Sequence, residues 1–243
     1  VAACLAGVIS LEEALPLVAL RGRLMQELPA GGMLAVPLSE AEVAPLLTAD
    51  LALAAINAPR RTVVSGPLPA IEELEGKLIE RGLEGRRLRT SHAFHSAMME
   101  PMLQAFAERL RTIRFKAPRI PYISNVTGDW ITEEQATDPE VWLRQLREPV
   151  RFGDGVSRLV EQRSWALLEV GPGRTLTTLL QQNPALTAEH QAVGSLVRPT
   201  HTDSEIAALL EALGRLWASG VEGDWPGLNR GERRRRVSLP TYP

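Results

Sequence analysis

Two side chains in this sequence stand out for the chemistry they could do: His95, a candidate proton acceptor, and Arg21, a candidate carboxylate holder. Acyl transfer through a serine or cysteine nucleophile needs an activating base, and imidazole is the commonest one. His95 lies in His92-Ala93-Phe94-His95-Ser96, at a junction between a strand and a helix, where a side chain can face a cleft. By spacing alone a histidine there is more often structural, and His92, His190 and His201 are placed less well. Arg21 sits beside Gly22, whose missing side chain would let a substrate or a second backbone come close. A guanidinium there can grip a carboxylate through two parallel hydrogen bonds, although a solvated helix arginine is the plainer reading. Gly171-Pro172-Gly173 could resemble an anion-binding turn, but without a fuller phosphate-loop signature it reads as a tight connection. No G-x-S-x-G nucleophile elbow occurs in these residues. Cys4 lies in an apolar helical run and reads as inert core, and the pairs Glu12-Glu13 and Glu72-Glu73 read as solvated helix faces.

The elements that must position these groups follow from capping and periodicity. Ser10-Leu11-Glu12-Glu13 is a capping box that starts a helix at Leu11, carried to Gln26 by apolar positions, with a kink expected at Pro16. From 33 to 89 the pattern changes repeatedly. Strand 33–36, helix 40–47, strands 51–56 and 61–65, helix 70–81 and a strand near 86–90 give a β-α-β-β-α-β order, with Asn57-Ala58-Pro59-Arg60 as the hairpin turn. That order is the ferredoxin-like split motif. Helix 98–111, strand 120–125, and helices 139–147 and 153–161 follow. Trp165 to Val170 reads as a buried parallel strand feeding helix 175–182, and strand 192–197 and helix 204–217 close the folded part. Strands and helices alternating on both sides of the split motif argue for an α/β body with an inserted subdomain.

Bulk properties exclude several function classes. The chain has 243 residues, 44% hydrophobic and 23% charged, with a formal net charge of -2, so nothing drives it toward nucleic acid or an anionic membrane. The short basic run Arg233-Arg234-Arg235-Arg236 reads as part of a solvated linker. One cysteine excludes an internal disulfide, and the four histidines have no zinc spacing, so no metal and a reducing, cytoplasmic compartment are expected. No apolar run approaches the length of a membrane span. The chain opens on Val1-Ala2-Ala3-Cys4 without an initiator methionine, and both ends read as internal to something longer.

Several segments together resemble the acyltransferase domains of type I polyketide synthases, relatives of the malonyl-CoA:acyl carrier protein transacylases. The markers are 1–8 with Ser10-Leu11-Glu12, Arg21-Gly22-Arg23-Leu24-Met25-Gln26, His92-Ala93-Phe94-His95-Ser96, Leu146-Arg147-Glu148-Pro149-Val150-Arg151-Phe152, Leu168-Glu169-Val170-Gly171-Pro172-Gly173 and Leu239-Pro240-Thr241-Tyr242-Pro243. The resemblance implies an α/β-hydrolase-like body (1–30 and 91–220, its N-terminal part missing), an inserted ferredoxin-like subdomain (31–90) and a post-acyltransferase linker (221–243). It also implies transfer of a malonyl extender unit from coenzyme A to the phosphopantetheine thiol of an acyl carrier protein, with no bound cofactor, beside an adjacent ketosynthase of the same polypeptide. On that resemblance His95 matches the base and Arg21 the group that pairs with the free carboxylate of malonate. Gln145 matches a residue whose backbone carbonyl orients the histidine. Phe94, with His92 in the same tetrad, matches the version associated with malonyl over methylmalonyl units. The serine nucleophile and oxyanion-hole donors would precede Val1, so this stretch alone is expected to be inactive. The alternative is a non-catalytic scaffold or docking module of a multidomain synthase.

Overall fold

A computed structural model of the chain describes residues 1–161, 163–197, 204–231 and 237–238, so His201, the arginine run 233–236 and the closing 239–243 lie outside it. The chain divides into two compact units, residues 1–164 with 178–187, and residues 165–177 with 188–243. The body expected over 1–30 and 91–220 thus falls partly in each.

In the first unit a short helix α1 (Ala2–Leu5) precedes α2 (Leu11–Gln26). The Ser10 side chain caps α2 by accepting from the Glu13 amide, and Glu12 and Glu13 sit where the helix dipole favours acids. The helix runs unbroken through Pro16. Next come β1 (Gly32–Val36), α3 (Glu40–Val43) with a 3₁₀ turn Ala44–Leu46, β2 (Ala52–Ala58), β3 (Arg61–Gly66), α4 (Leu68–Glu80) and β4 (Arg86–Arg87). The helix expected over 40–47 is shorter because Pro45 sits in the 3₁₀ turn and has no amide to continue α-helical bonding. The four strands form one sheet in the order β2-β3-β1-β4, with each neighbouring pair antiparallel.

Alternation along these strands gives the sheet two different faces. Leu34, Val36 and Val64 point to one side and are sealed there by Ile71, Leu74 and Leu78 of α4, at helical spacings of three and four. Leu78 is fully buried, so Leu78→Ala should lower the unfolding free energy by about 2–5 kcal/mol, read from denaturant melts; a loss under about 1 kcal/mol would refute this packing. The other face carries Met33, Ala35, Ala54, Ala55 and Val63, mostly small residues that leave space above the sheet. That space is where the candidate site lies.

The remainder of the unit supports this face. A 3₁₀ turn (Ala97–Met99) leads into α5 (Glu100–Leu110), followed by α6 (Glu133–Thr137), α7 (Pro139–Arg147) and α8 (Phe152–Val160). The segment 120–125, expected as a strand, is one arm of a tight hairpin with a single bridge, Ile123 to Trp130, turning at Gly128 with φ of +68°. A strand beyond the hairpin's own arm has nothing to pair with there among the described residues. Instead, Val150 adds to the edge of β2: the Ile56 amide donates to the Val150 carbonyl and the Val150 amide to the Ala54 carbonyl, both at 2.9 Å. Gly153 lets α8 follow closely, since a Cβ there would lie 3.3 Å from the backbone of Asn57 and Ala58. Leu11, Leu15 and Val18 leave an apolar stripe on α2 more than half exposed.

In the second unit β5 (Ala166–Pro172) pairs in parallel with β6 (Gln191–Leu196), and α10 (Glu205–Ala218) and α11 (Trp225–Leu228) follow. The helix α9 (Thr175–Gln181) begins in this unit. β5 is parallel as expected but not buried: Val170 is 84% exposed, because β6 is its one partner among the described residues. The Gly171-Pro172-Gly173 turn is a connection whose amide donors are already used. The Glu169 carboxylate accepts from the Leu176 and Thr177 amides at 3.0 and 2.8 Å and from the Thr177 hydroxyl at 2.7 Å. Burial raises the Glu169 pKa, but these bonds outweigh it and hold the carboxyl below its ordinary value.

Candidate active site

A cavity of about 520 Å³ opens between α2 and the small-residue face of the sheet, with Arg21, Gly22, Asn57, Phe94 and His95 in its walls and Val18, Met25, Met33 and Val63 among its apolar lining. Two of the residues singled out from sequence therefore meet across one space, although 74 positions separate them in the chain. A second cavity of about 350 Å³ is lined by Arg21 again, with Gln145, Phe106 and Trp142.

The His95 ring is fixed by its backbone and by one hydrogen bond. Nδ1 lies 3.0 Å from the Glu148 carbonyl, so Nδ1 carries the proton and donates, and Nε2 is left with a lone pair. Glu148 ends α7 with an extended backbone, as expected for a residue before proline, and Pro149 has no amide to compete for nearby acceptors. Its side chain accepts two bonds from Arg144 at 2.7 and 3.1 Å, and Arg147 reaches Glu100 at 3.0 Å, which ties α7 to α5. Gln145, expected to supply the orienting carbonyl, has a lesser part: its carbonyl also acts on His95, but the 3.0 Å acceptor is Glu148. Burial pushes the His95 pKa down, the Glu148 carbonyl pulls it up, the nearby Arg21 charge lowers it again, and the net direction is down. The ring is therefore neutral at neutral pH, the form a general base requires.

Arg21 is partly buried and, among the described residues, no carboxylate or hydrogen-bond partner acts on it; burial alone lowers its pKa. A guanidinium withdrawn from water without a counter-ion is costly to the fold, and an incoming anion would relieve that cost. Asn57, unnoticed as a site residue in the sequence, contributes the remaining polar side chain of this cavity wall. Its signal lies in the turn Asn57-Ala58-Pro59-Arg60, but β2 extends to Ala58 and leaves Pro59 and Arg60 as the turn, which places Asn57 within the strand.

His92 does not line this cavity. It is 5% exposed, its Nε2–H donates to the Leu28 carbonyl at 3.1 Å, and its Nδ1 accepts from the Ser91 hydroxyl at 2.7 Å. With both nitrogens engaged it has none for a substrate, and the assignment of His92 to substrate binding is corrected to a bracket between the end of α2 and the loop bearing Phe94. The two rings lie 6.2 Å apart, and the Gly31 amide bonds the Ser91 carbonyl at 3.1 Å. Gly31 must be glycine here, because a Cβ would come within 2.7 Å of Ala93.

Residues 1–222 match the model of the family described as the acyl transferase domain. The chain belongs to that family. It is 41% identical over its whole length to a phenolphthiocerol/phthiocerol polyketide synthase of Mycobacterium tuberculosis, of which it spans 16%. Among solved structures, it is 41% identical to the acyltransferase domain from the second module of the salinomycin polyketide synthase, with a TM-score of 0.89 over 98% of this chain and 56% of that one. It is 42% identical to the acyl transferase domain of SpnD in complex with 2-(pent-4-yn-1-yl)malonyl, with a TM-score of 0.85 over 90% of this chain and 53% of that one. The acyltransferase chain thus spans just over half of the solved domains it matches. Among its described residues no group of three or more His, Cys, Asp or Glu side chains could hold a metal ion, and no helix is long and apolar enough to cross a membrane.

Proposed function

We propose that this acyltransferase chain supplies the general base and the carboxylate-holding arginine for moving a malonyl unit from coenzyme A to the phosphopantetheine thiol of an acyl carrier protein. The observation that carries the proposal is the unpaired, half-buried Arg21 guanidinium in the same cavity as a neutral His95 whose Nε2 is open. Family membership and the malonyl-derived ligand of the SpnD domain agree with an acid-bearing acyl group. We also read 31–90, with its strand order β2-β3-β1-β4, as a ferredoxin-like subdomain inserted in a hydrolase-like body.

The nucleophile is assigned to a serine outside these residues, in the part of the domain this chain does not span. His95 Nε2 takes the serine proton as the hydroxyl oxygen bonds to the thioester carbon, and returns it to the departing coenzyme A sulfur as the C–S bond breaks. The second half runs in reverse, with the carrier thiol giving its proton to His95 and the serine recovering it. Throughout, Arg21 holds the malonyl carboxylate, which fixes the reacting carbonyl and leaves simple acyl groups without a partner for the guanidinium. The complete domain would act on carrier proteins within a multidomain synthase.

Phe94 is the proposed steric filter against an α-methyl branch. Mass measurement of the complete domain after brief incubation with malonyl-CoA should reveal a malonyl adduct, with methylmalonyl loading slower by about 10- to 200-fold, the value of one methylene in a pocket. Phe94→Ser should narrow that ratio. Absence of an adduct with either thioester would remove the proposed activity, and an unchanged ratio in the variant would remove the filter.

A further inference from the structure

Among the described residues His95 is the one non-glycine with a positive φ, +59°. A residue with a Cβ holds the left-handed conformation only where its surroundings over-determine it. The conformation matters here because it sets where the Cα–Cβ bond points. Relaxed to a right-handed or extended backbone, the ring would swing off the line that joins the Glu148 carbonyl to the cavity.

The next residue supplies the constraint. The Ser96 hydroxyl donates to the Ala93 carbonyl at 2.6 Å and accepts from the Met98 amide at 3.2 Å, so one oxygen bridges the chain on both sides of His95. The Ser96 carbonyl accepts from the Met99 amide at 3.0 Å and begins the 3₁₀ turn Ala97–Met99. Ser96 is 1% exposed, and Ala93 and Met99 are completely buried, so water is poorly placed to take over these bonds. The same bonds exclude Ser96 as a nucleophile, because it does not line the cavity and its proton is committed to Ala93.

We propose that Ser96 is a positioning residue for the acyl transfer: its hydroxyl closes Ala93 and Met98 around His95, locks the left-handed backbone there, and so aims Nε2 into the cavity. The proposal rests on the reading of His95 as the base. Ser96→Ala would strand the Ala93 carbonyl and release the turn, while Ser96→Thr would retain the hydroxyl.

The test uses the complete acyltransferase domain, with malonyl-CoA and carrier-protein thiol as substrates, and compares S96A, S96T and H95Q. S96A is expected to lower kcat by about 10²-fold with KM nearly unchanged, the order expected when a reacting group is displaced by about 1 Å. In ¹⁵N-histidine NMR spectra, His95 should change from a single Nδ1–H tautomer to a mixture, and S96T should recover both rate and spectrum. Should S96A be too unstable to purify, S96C, similar in volume but a weak donor, replaces it and should show the same loss. Wild-type kcat and a single Nδ1–H tautomer in S96A would overturn the proposal even if its melting temperature fell, since that pattern is mere stabilisation. H95Q separates the two claims. Retained transfer in H95Q removes the base reading and leaves Ser96 to be judged by the tautomer alone, where an unchanged S96A spectrum still overturns it.

Discussion

His95→Gln in the complete domain should slow malonyl transfer by about 10²- to 10⁴-fold, the range attributed to a positioned general base. The amide can imitate a hydrogen bond from imidazole but cannot accept and return a proton, so both half-reactions should suffer together. In the unmodified protein the rate should fall on the acid side as Nε2 becomes protonated. Burial and the Arg21 charge hold the His95 pKa below its ordinary value, so the fall in kcat/KM should lie at lower pH than for a free histidine. Once a malonyl carboxylate has neutralised Arg21, one of those causes is gone, and the acid limb of kcat should lie at higher pH than that of kcat/KM. Rate profiles across pH check both points. Activity of His95→Gln within a few-fold of wild type, with the acid limb intact, would mean that another group is the base.

The difference between what the sequence discloses and what it conceals is physical. Alternation along 33–36 and 61–65, and the Ile71, Leu74 and Leu78 spacing on α4, make the four-stranded sheet legible because burial of one face dictates both patterns. The expected strand 120–125 shares that alternation but folds as a hairpin arm, since a strand also needs a neighbour and residue types do not announce one. α6 escapes notice for the converse reason. Its capping box from Thr132 to Gln135 is readable, but five residues with one buried alanine have no apolar period. At the site, Arg21 and His95 are legible as chemistry but come together only through the motifs that resemble a family. The exchange of Glu148 for Gln145 is not legible, because the direction of a carbonyl depends on where α7 stops, and Pro149 decides that. Likewise His92 has the composition of a binding residue, and only its partners Ser91 and Leu28 reveal a structural bracket.

Arg21→Ala should lower kcat/KM for malonyl-CoA by about 30- to 1000-fold, the loss expected when one partner of a desolvated charge pair is removed. Discrimination against acetyl-CoA should fall with it, because the wild-type site penalises an acyl group that leaves the guanidinium unpaired, and alanine imposes no such penalty. Arg21→Lys should fall between the two, retaining the charge but losing the two parallel bonds of the planar fork. Stability gives an independent reading of the same residue. In the absence of substrate Arg21 is a partly buried charge without a partner, so Arg21→Met should melt at or above the wild-type temperature while loading malonate poorly. A structural arginine would do the opposite, its loss costing stability before activity. Opposite movement of melting temperature and kcat/KM would therefore mark Arg21 as a group the fold tolerates for the sake of its ligand. A variant that loses stability but keeps its malonyl preference would return Arg21 to the scaffold and leave the carboxylate to be held by some other cation.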